Sequence, residues 1–313
     1  MTKTILAIDT VVSNQVKLLD DHFDVIRLWK EKNPERLLQE RGAEISAVTS
    51  SLLPVRRSLI EALPNLEIIS NCAVGYDNID LEACKERGIL VTNTPDVLTN
   101  DTADTALLLM LGVMRRGVEG DAYLRAGLWK KHGAAPLGSC LSGKTAGIIG
   151  LGRIGQAIAH RIEAFDMKVV YQGPRKKTDF AYTYYEDLEK MASEVDVLVA
   201  ACPGGEATKG IVNDKILKAL GEQGFFINIA RGSVVQQGDL ILALANKHIA
   251  GAGLDVYWKE PDVPQELLTM DNVVLTPHIG SATNETRNKM GQIVLGNLLA
   301  HFDGQPLLTE VKL

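Results

Sequence analysis

The chain has 313 residues, of which 46% are hydrophobic and 23% charged, the composition of an ordinary soluble globular protein with a length that suits about two domains. A formal charge of −6 with no basic tail argues against a nucleic-acid-binding protein and leaves any attraction for anions to local clusters of cations. The greasiest run, TALLLMLGVM, falls far short of the roughly 18 apolar residues of a membrane span, and MTKTILAIDT reads as a strand rather than a secretory leader.

From the N-terminus, TILAID, FDVIRLW, ISAVTS, LEIISNC and ILVTN read as strands, separated by helical stretches such as SLIEALPNL and LEACKERG. β-rich runs alternating with helical patterns predict parallel sheets covered by helices. A long helical segment from about Thr99 to Arg116 breaks this rhythm, and the polar, Gly-rich RAGLWKKHGAAPLGSCLSGK after it reads as an arm or crossing. A second series follows: TAGIIG, KVVYQ, VDVLVAAC, GFFINIA, AGAGLDV and NVVLTP, again with helices between. A last helix spans about Asn284 to His301. The expected fold is α/β, with two Rossmann-like or flavodoxin-like units and a boundary near Pro95 to Asn100. Cys72, Cys84, Cys140 and Cys202 form no C-x-x-C pair, so spacing suggests neither a metal ribbon nor a disulfide framework, and a reducing cytoplasm is the expected home.

The second series opens with a glycine motif in the place where chemistry wants it. An apolar strand runs into Gly150-Leu151-Gly152-Arg153-Ile154-Gly155, and helical periodicity follows. In G-x-G-x-x-G the first glycine allows a tight turn, the second lets backbone approach a pyrophosphate, and the third lets helix and strand pack closely. The helix N-terminus then offers an anion site.

About 20 residues beyond the first glycine, such folds often carry an acid that accepts the adenosine ribose hydroxyls. This chain has Gln172, Gly173 and Pro174 there, followed by Arg175, Lys176 and Lys177. A carboxylate would repel a 2′-phosphate, whereas these cations can form charge-assisted hydrogen bonds to it. The stretch therefore favours NADPH over NADH. Read alone, a cation cluster is also an ordinary solvated loop.

Downstream, three polar residues stand at or just beyond apolar strand ends: Arg231 in FFINIARGSVV, Glu260 in GLDVYWKEP and His278 in NVVLTPHIGSAT. The ligand crevice of an open parallel sheet lies outside such ends. Together with GLGRIG, these stretches resemble the D-isomer-specific 2-hydroxyacid dehydrogenase family, in the family's order and over nearly the whole chain. The resemblance is closest to the NADPH-using glyoxylate/hydroxypyruvate and hydroxyphenylpyruvate reductases. Those relatives often show a Ser-Arg pair after the second strand; the Gly173-Pro174-Arg175-Lys176 of this chain leaves open which cation meets the phosphate.

Reduction of a 2-keto acid needs a hydride at the carbonyl carbon and a proton at its oxygen, and histidine suits the proton transfer near neutral pH. The resemblance implies His278 as the acid, Glu260 as the carboxylate that orients it, and Arg231 as the group that holds the substrate carboxylate and polarises the carbonyl. It also implies that backbone N–H groups of Val74 and Gly75 receive the substrate carboxylate, that SSLLP (50–54) faces the substrate's side chain, and that Trp258 and Trp129 contribute from a partner chain or a lid. The implied cofactor shell comprises Thr102, Gly150, Gly152, Arg153, Ile154, Gly155, Arg175, Lys176, Cys202, Pro203, Thr208, Ala230, Asp255, His278 and Gly280, with Asp255 at the carboxamide. No metal enters this scheme.

The family architecture further implies a substrate domain of 1–98 plus 283–313, a cofactor domain of 99–282, a cleft between them, and a homodimer joined through the helix and arm at about 99–143. Other readings stay open. One is a dinucleotide-sensing corepressor or scaffold of the same superfamily, whose members carry extra terminal segments not expected here. Another is an NAD-linked phosphoglycerate or formate dehydrogenase, although formate has no carbonyl for a His–Glu acid to protonate.

Overall fold

The computed structural model describes residues 2–9 and 17–313. The chain divides into two compact units, one of residues 1–98 and 282–313, the other of residues 99–281. The division falls one residue earlier than the expected second boundary. Thr283, inside the expected bound, caps the helix Asn284–Phe302 by accepting the Thr286 N–H.

The smaller unit contains β1 (Thr4–Ala7), β2 (Asp24–Arg27), β3 (Ile45–Ser50), β4 (Ile68–Asn71) and β5 (Leu90–Thr92), all paired in parallel in the order β2-β1-β3-β4-β5. β1, β3 and β4 are buried along their full length, as expected of near-continuous apolar runs in a sheet covered on both faces. The strand expected over FDVIRLW stops at Arg27, where Leu28–Lys30 tighten into a 3₁₀ turn. The helix expected over SLIEALPNL is a short one, Arg57–Glu61, which ends ahead of Pro64.

The larger unit contains β6 (Thr145–Ile149), β7 (Lys168–Gln172), β8 (Thr183–Tyr185), β9 (Val197–Ala200), β10 (Phe225–Asn228), β11 (Gly251–Leu254) and β12 (Val273–Leu275). All are parallel, in the order β12-β11-β10-β9-β6-β7-β8. Alternate residues of each strand face opposite sides. Thus Leu198 and Ala200 join the helices Leu188–Ser193, Asp214–Leu220 and Gln237–Ala245, while Val197 and Val199 join Thr99–Met114 and Arg153–Glu163. β8 was not expected, because its three residues, TYY, are too few to show a period. The arm also differs from a plain crossing: the helix Gly117–Arg125 leads into it and the helix Leu128–His132 lies within it.

Candidate active site

In the larger unit the chain leaves β6 on one side for β7 and later returns on the other side as β9, so the gap between β6 and β9 is the topological switch point. Gly150 follows β6 and Cys202 follows β9. Gly150 sits at φ +91°, its N–H bonds the Gln172 carbonyl at 2.8 Å, and a Cβ there would come within 2.7 Å of the Cys202 Cα. Only glycine meets both demands. A Cβ at Gly155 would collide with the Gly150 carbonyl, so the helix Arg153–Glu163 lies directly on the turn. Gly152, the residue that starts this helix, has nothing within 4 Å of where a Cβ would be. A helix N-terminus facing open space beside bare backbone fits a dinucleotide pyrophosphate.

The loop after β7 is held by two tyrosines. The Tyr171 hydroxyl accepts the Lys177 N–H at 2.7 Å, and the Tyr184 hydroxyl donates to the Gly173 carbonyl at 3.1 Å. The Lys177 ammonium lies over the Phe180 ring, 5.9 Å from its centroid, while Arg175 and Lys176 are exposed. Arg175 and Lys176 are the more exposed of the three cations, and Lys177 is half-buried. On the β9 side, the Thr208 hydroxyl donates to the Pro203 carbonyl at 2.6 Å and closes that loop. Burial pushes the Cys202 thiol up to about 11, so it offers a neutral packing surface.

Arg231, Glu260 and His278 come from the loops after β10, β11 and β12. The fully buried Asn228 braces the first loop: its Oδ1 accepts the Ala230 N–H at 3.0 Å and its Nδ2 donates to the Arg231 carbonyl at 3.0 Å. Arg231 itself donates from Nη1 to the Ala230 carbonyl at 2.9 Å. Glu260 accepts the Tyr257 N–H on Oε1 at 2.9 Å and meets His278 Nδ1 through Oε2 at 2.6 Å. Burial pushes the Glu260 carboxyl up, but the His278 hydrogen bond and charge, the Tyr257 N–H and the Arg231 charge together outweigh it and hold it below the ordinary value. An ionised carboxylate has no proton to give, so Nδ1–H is the donor and Nε2 is left for proton exchange.

His278 takes φ +54°, a region β-carbon residues rarely enter, and the surrounding loop over-determines it. Asp255, 1% exposed, accepts the Thr276 hydroxyl at 2.6 Å and the Ile279 N–H at 2.8 Å on Oδ1, and the Gly280 N–H at 2.8 Å on Oδ2. The Thr102 hydroxyl donates to the Gly280 carbonyl at 2.9 Å. These hydrogen bonds of Asp255 and Thr102 hold the histidine loop. Losing the Asp255 carboxylate would strand two backbone N–H groups, each costing about 1–3 kcal/mol. Asn228, Tyr257 and Thr276 lie within the quoted stretches but were not singled out there, since each reads as a strand or turn residue.

In the smaller unit, the Val74 carbonyl accepts from Asn93 Nδ2 at 2.9 Å and the Gly75 carbonyl from Asn71 Nδ2 at 2.8 Å. The carbonyls are tied down, and the N–H groups of both residues have no protein acceptor among the described residues.

A doubly wound sheet, a glycine turn at its switch point and an Arg–Glu–His set at strand ends define the class of dinucleotide-dependent oxidoreductases. Residues 107–280 match the family model of the D-isomer specific 2-hydroxyacid dehydrogenase NAD binding domain. The chain is 48% identical over 294 residues to a hydroxyphenylpyruvate reductase of Plectranthus scutellarioides, across 94% of each chain. It is 49% identical over 294 residues to a glyoxylate/hydroxypyruvate reductase A of Arabidopsis thaliana, again across 94% of each. It is also similar to the solved NADPH-dependent glyoxylate/hydroxypyruvate reductase of Sinorhizobium meliloti in complex with NADP and malonate, with a TM-score of 0.92 and 39% identity over 99% of this chain and 97% of that one. The chain belongs to the D-isomer specific 2-hydroxyacid dehydrogenase family and is an oxidoreductase.

Proposed function

We propose that the protein reduces a small 2-keto acid, such as glyoxylate or hydroxypyruvate, to the D-2-hydroxy acid, with NADPH preferred over NADH. The observation that carries this reading is the 2.6 Å bond between His278 Nδ1 and Glu260 Oε2, with Arg231 close enough for its charge to act on Glu260. NADPH, when bound, supplies the hydride. His278 delivers a proton from Nε2 to the substrate carbonyl oxygen, and Glu260 keeps the ring oriented and stabilises its charged form. Arg231 holds the substrate carboxylate with its planar fork and draws charge towards the carbonyl. In the smaller unit, the N–H groups of Val74 and Gly75 are assigned to substrate carboxylate binding.

The pyrophosphate is assigned to the Gly150–Gly155 turn, and the 2′-phosphate to Arg175 with Lys176. The NADP-bound Sinorhizobium meliloti structure supports use of the phosphorylated cofactor. Thr102, Cys202, Pro203, Thr208, Ala230, Asp255 and Gly280 line the remaining cofactor path in this reading. Arg175→Ala is expected to raise KM for NADPH about tenfold, the value of one charge-assisted contact, and to leave KM for NADH nearly unchanged. Steady-state kinetics with both cofactors measure this, and equal losses would remove Arg175 from the phosphate site.

The named relatives are reductases, which favours catalysis over a corepressor or scaffold role. A cytoplasmic homodimer is part of the proposal. It is supported by apolar side chains exposed along the arm, including Val118, Trp129 and Leu137 at 59%, 62% and 93%. No helix among the described residues is long and apolar enough to cross a membrane.

A further inference from the structure

The end of β1 carries a buried carboxylate to which the proposed chemistry gives no task. Asp9 is 3% exposed. Its Oδ2 accepts three successive backbone N–H groups, from Ser51 at 2.7 Å, Leu52 at 3.0 Å and Leu53 at 3.3 Å. Its Oδ1 is buried with no hydrogen-bond partner among the described residues. Burying a carboxylate is costly, and leaving one oxygen unmatched adds to the cost. Arg287, on the helix Asn284–Phe302, supplies a positive charge within electrostatic reach of it.

The location is specific. In the order β2-β1-β3-β4-β5 the chain leaves β1 towards β2 and returns on the other side as β3, so the β1/β3 gap is the switch point of this sheet. Ligands of open α/β sheets bind outside the strand ends at such a gap. Asp9 follows β1, and residues 51–53 follow β3, so the carboxylate bridges the gap itself. The bridged loop is also tied to the loop after β4: the Ser51 hydroxyl donates to the Cys72 carbonyl at 3.2 Å, and Asn78 Nδ2 donates to the Leu53 carbonyl at 3.1 Å. The Ser50 hydroxyl closes the turn on the Leu53 carbonyl at 2.7 Å. With its backbone held in this way, the loop presents Leu52 and Leu53 outward, 39% and 50% exposed, beside the loop that carries Val74 and Gly75.

We propose that Asp9 is a positioning residue for substrate selection: it holds the Ser51–Leu53 loop so that Leu52 and Leu53 form the wall against which the side chain of the 2-keto acid packs. The inference rests on the reductase reading above. Glyoxylate has only hydrogen at that position and is insensitive to the wall, whereas a larger keto acid depends on it.

The test compares wild type, Asp9→Ala and Asp9→Asn on glyoxylate and on hydroxyphenylpyruvate, or on hydroxypyruvate if that is turned over faster. Melting temperature and NADPH affinity are measured alongside. Asp9→Ala is expected to raise KM for the larger acid about tenfold, as for other losses of a hydrophobic pocket wall, with kcat and KM for glyoxylate and NADPH affinity nearly unchanged. Asp9→Asn keeps one acceptor oxygen without the charge and is expected to move the same ratio in the same direction by a smaller, measurable amount. Ile60→Val, a core change in the same unit, controls for stability and is expected to leave the ratio alone. An unchanged ratio, or equal losses on both substrates, overturns the proposal; if Asp9→Ala does not fold, Asp9→Asn decides it by the same criterion. Failure of the wild type to reduce any keto acid overturns instead the reductase reading on which the proposal stands.

Discussion

Replacing His278 with alanine is expected to lower kcat for keto-acid reduction about 10²–10⁴-fold, the usual contribution of a positioned general acid. NADPH affinity should change little, because the proton transfer is a property of the transition state and not of cofactor binding. The structural basis is the fixed ring: Nδ1 is engaged by Glu260 at 2.6 Å, and the backbone at φ +54° is held by the loop that Asp255 and Thr102 brace. Glu260→Gln keeps the shape but can donate to the ring or accept from it, so it loosens the tautomer and is expected to reduce kcat less than His278→Ala. Steady-state rates with fluorescence titration of NADPH measure both quantities. Near-normal turnover in His278→Ala would remove the residue from the acid role.

Arg231→Lys is expected to lower kcat/KM for the keto acid by about 10²–10³-fold, with most of the loss in KM, because lysine keeps the charge but cannot offer two parallel N–H groups to a carboxylate. The fold should tolerate the change: the loop backbone is held mainly by Asn228, through the Ala230 N–H and the Arg231 carbonyl, and the guanidinium adds a bond to the Ala230 carbonyl. An unchanged melting temperature with a raised KM separates substrate binding from a structural role. A fall in melting temperature with no change in KM would assign Arg231 to the loop alone.

Much of the fold was legible because its strands are short apolar runs bounded by turns, and β3, β6, β9 and β10 appear in the sequence close to their observed limits. The glycine turn was legible because Gly150 and Gly155 answer backbone demands that no other residue meets, as the space around them bears out. What escaped depends on distant partners. Asn228 looks like one more strand residue until its amide is seen to bridge Ala230 and Arg231. Asp9 precedes its three N–H donors by more than 40 residues, so no local pattern joins them. Asp255 was noticed for its type and place, but its hydrogen bonds run to the 276–280 loop, which only the β11–β12 pairing brings beside it. β8 and the helices of the arm were lost for a simpler reason: three to nine residues give too little periodicity to read.

Every residue role proposed above depends on hydride transfer from NADPH to a 2-keto acid. The most direct measurement is the time course of NADPH absorbance with purified protein and keto acids of graded size, run in parallel with NADH. The expected result is a fall that requires both the protein and glyoxylate or hydroxypyruvate, is faster with NADPH than with NADH, and yields the D-2-hydroxy acid. Steady absorbance with every keto acid in the series, under conditions where the protein is folded and binds NADPH, would contradict it.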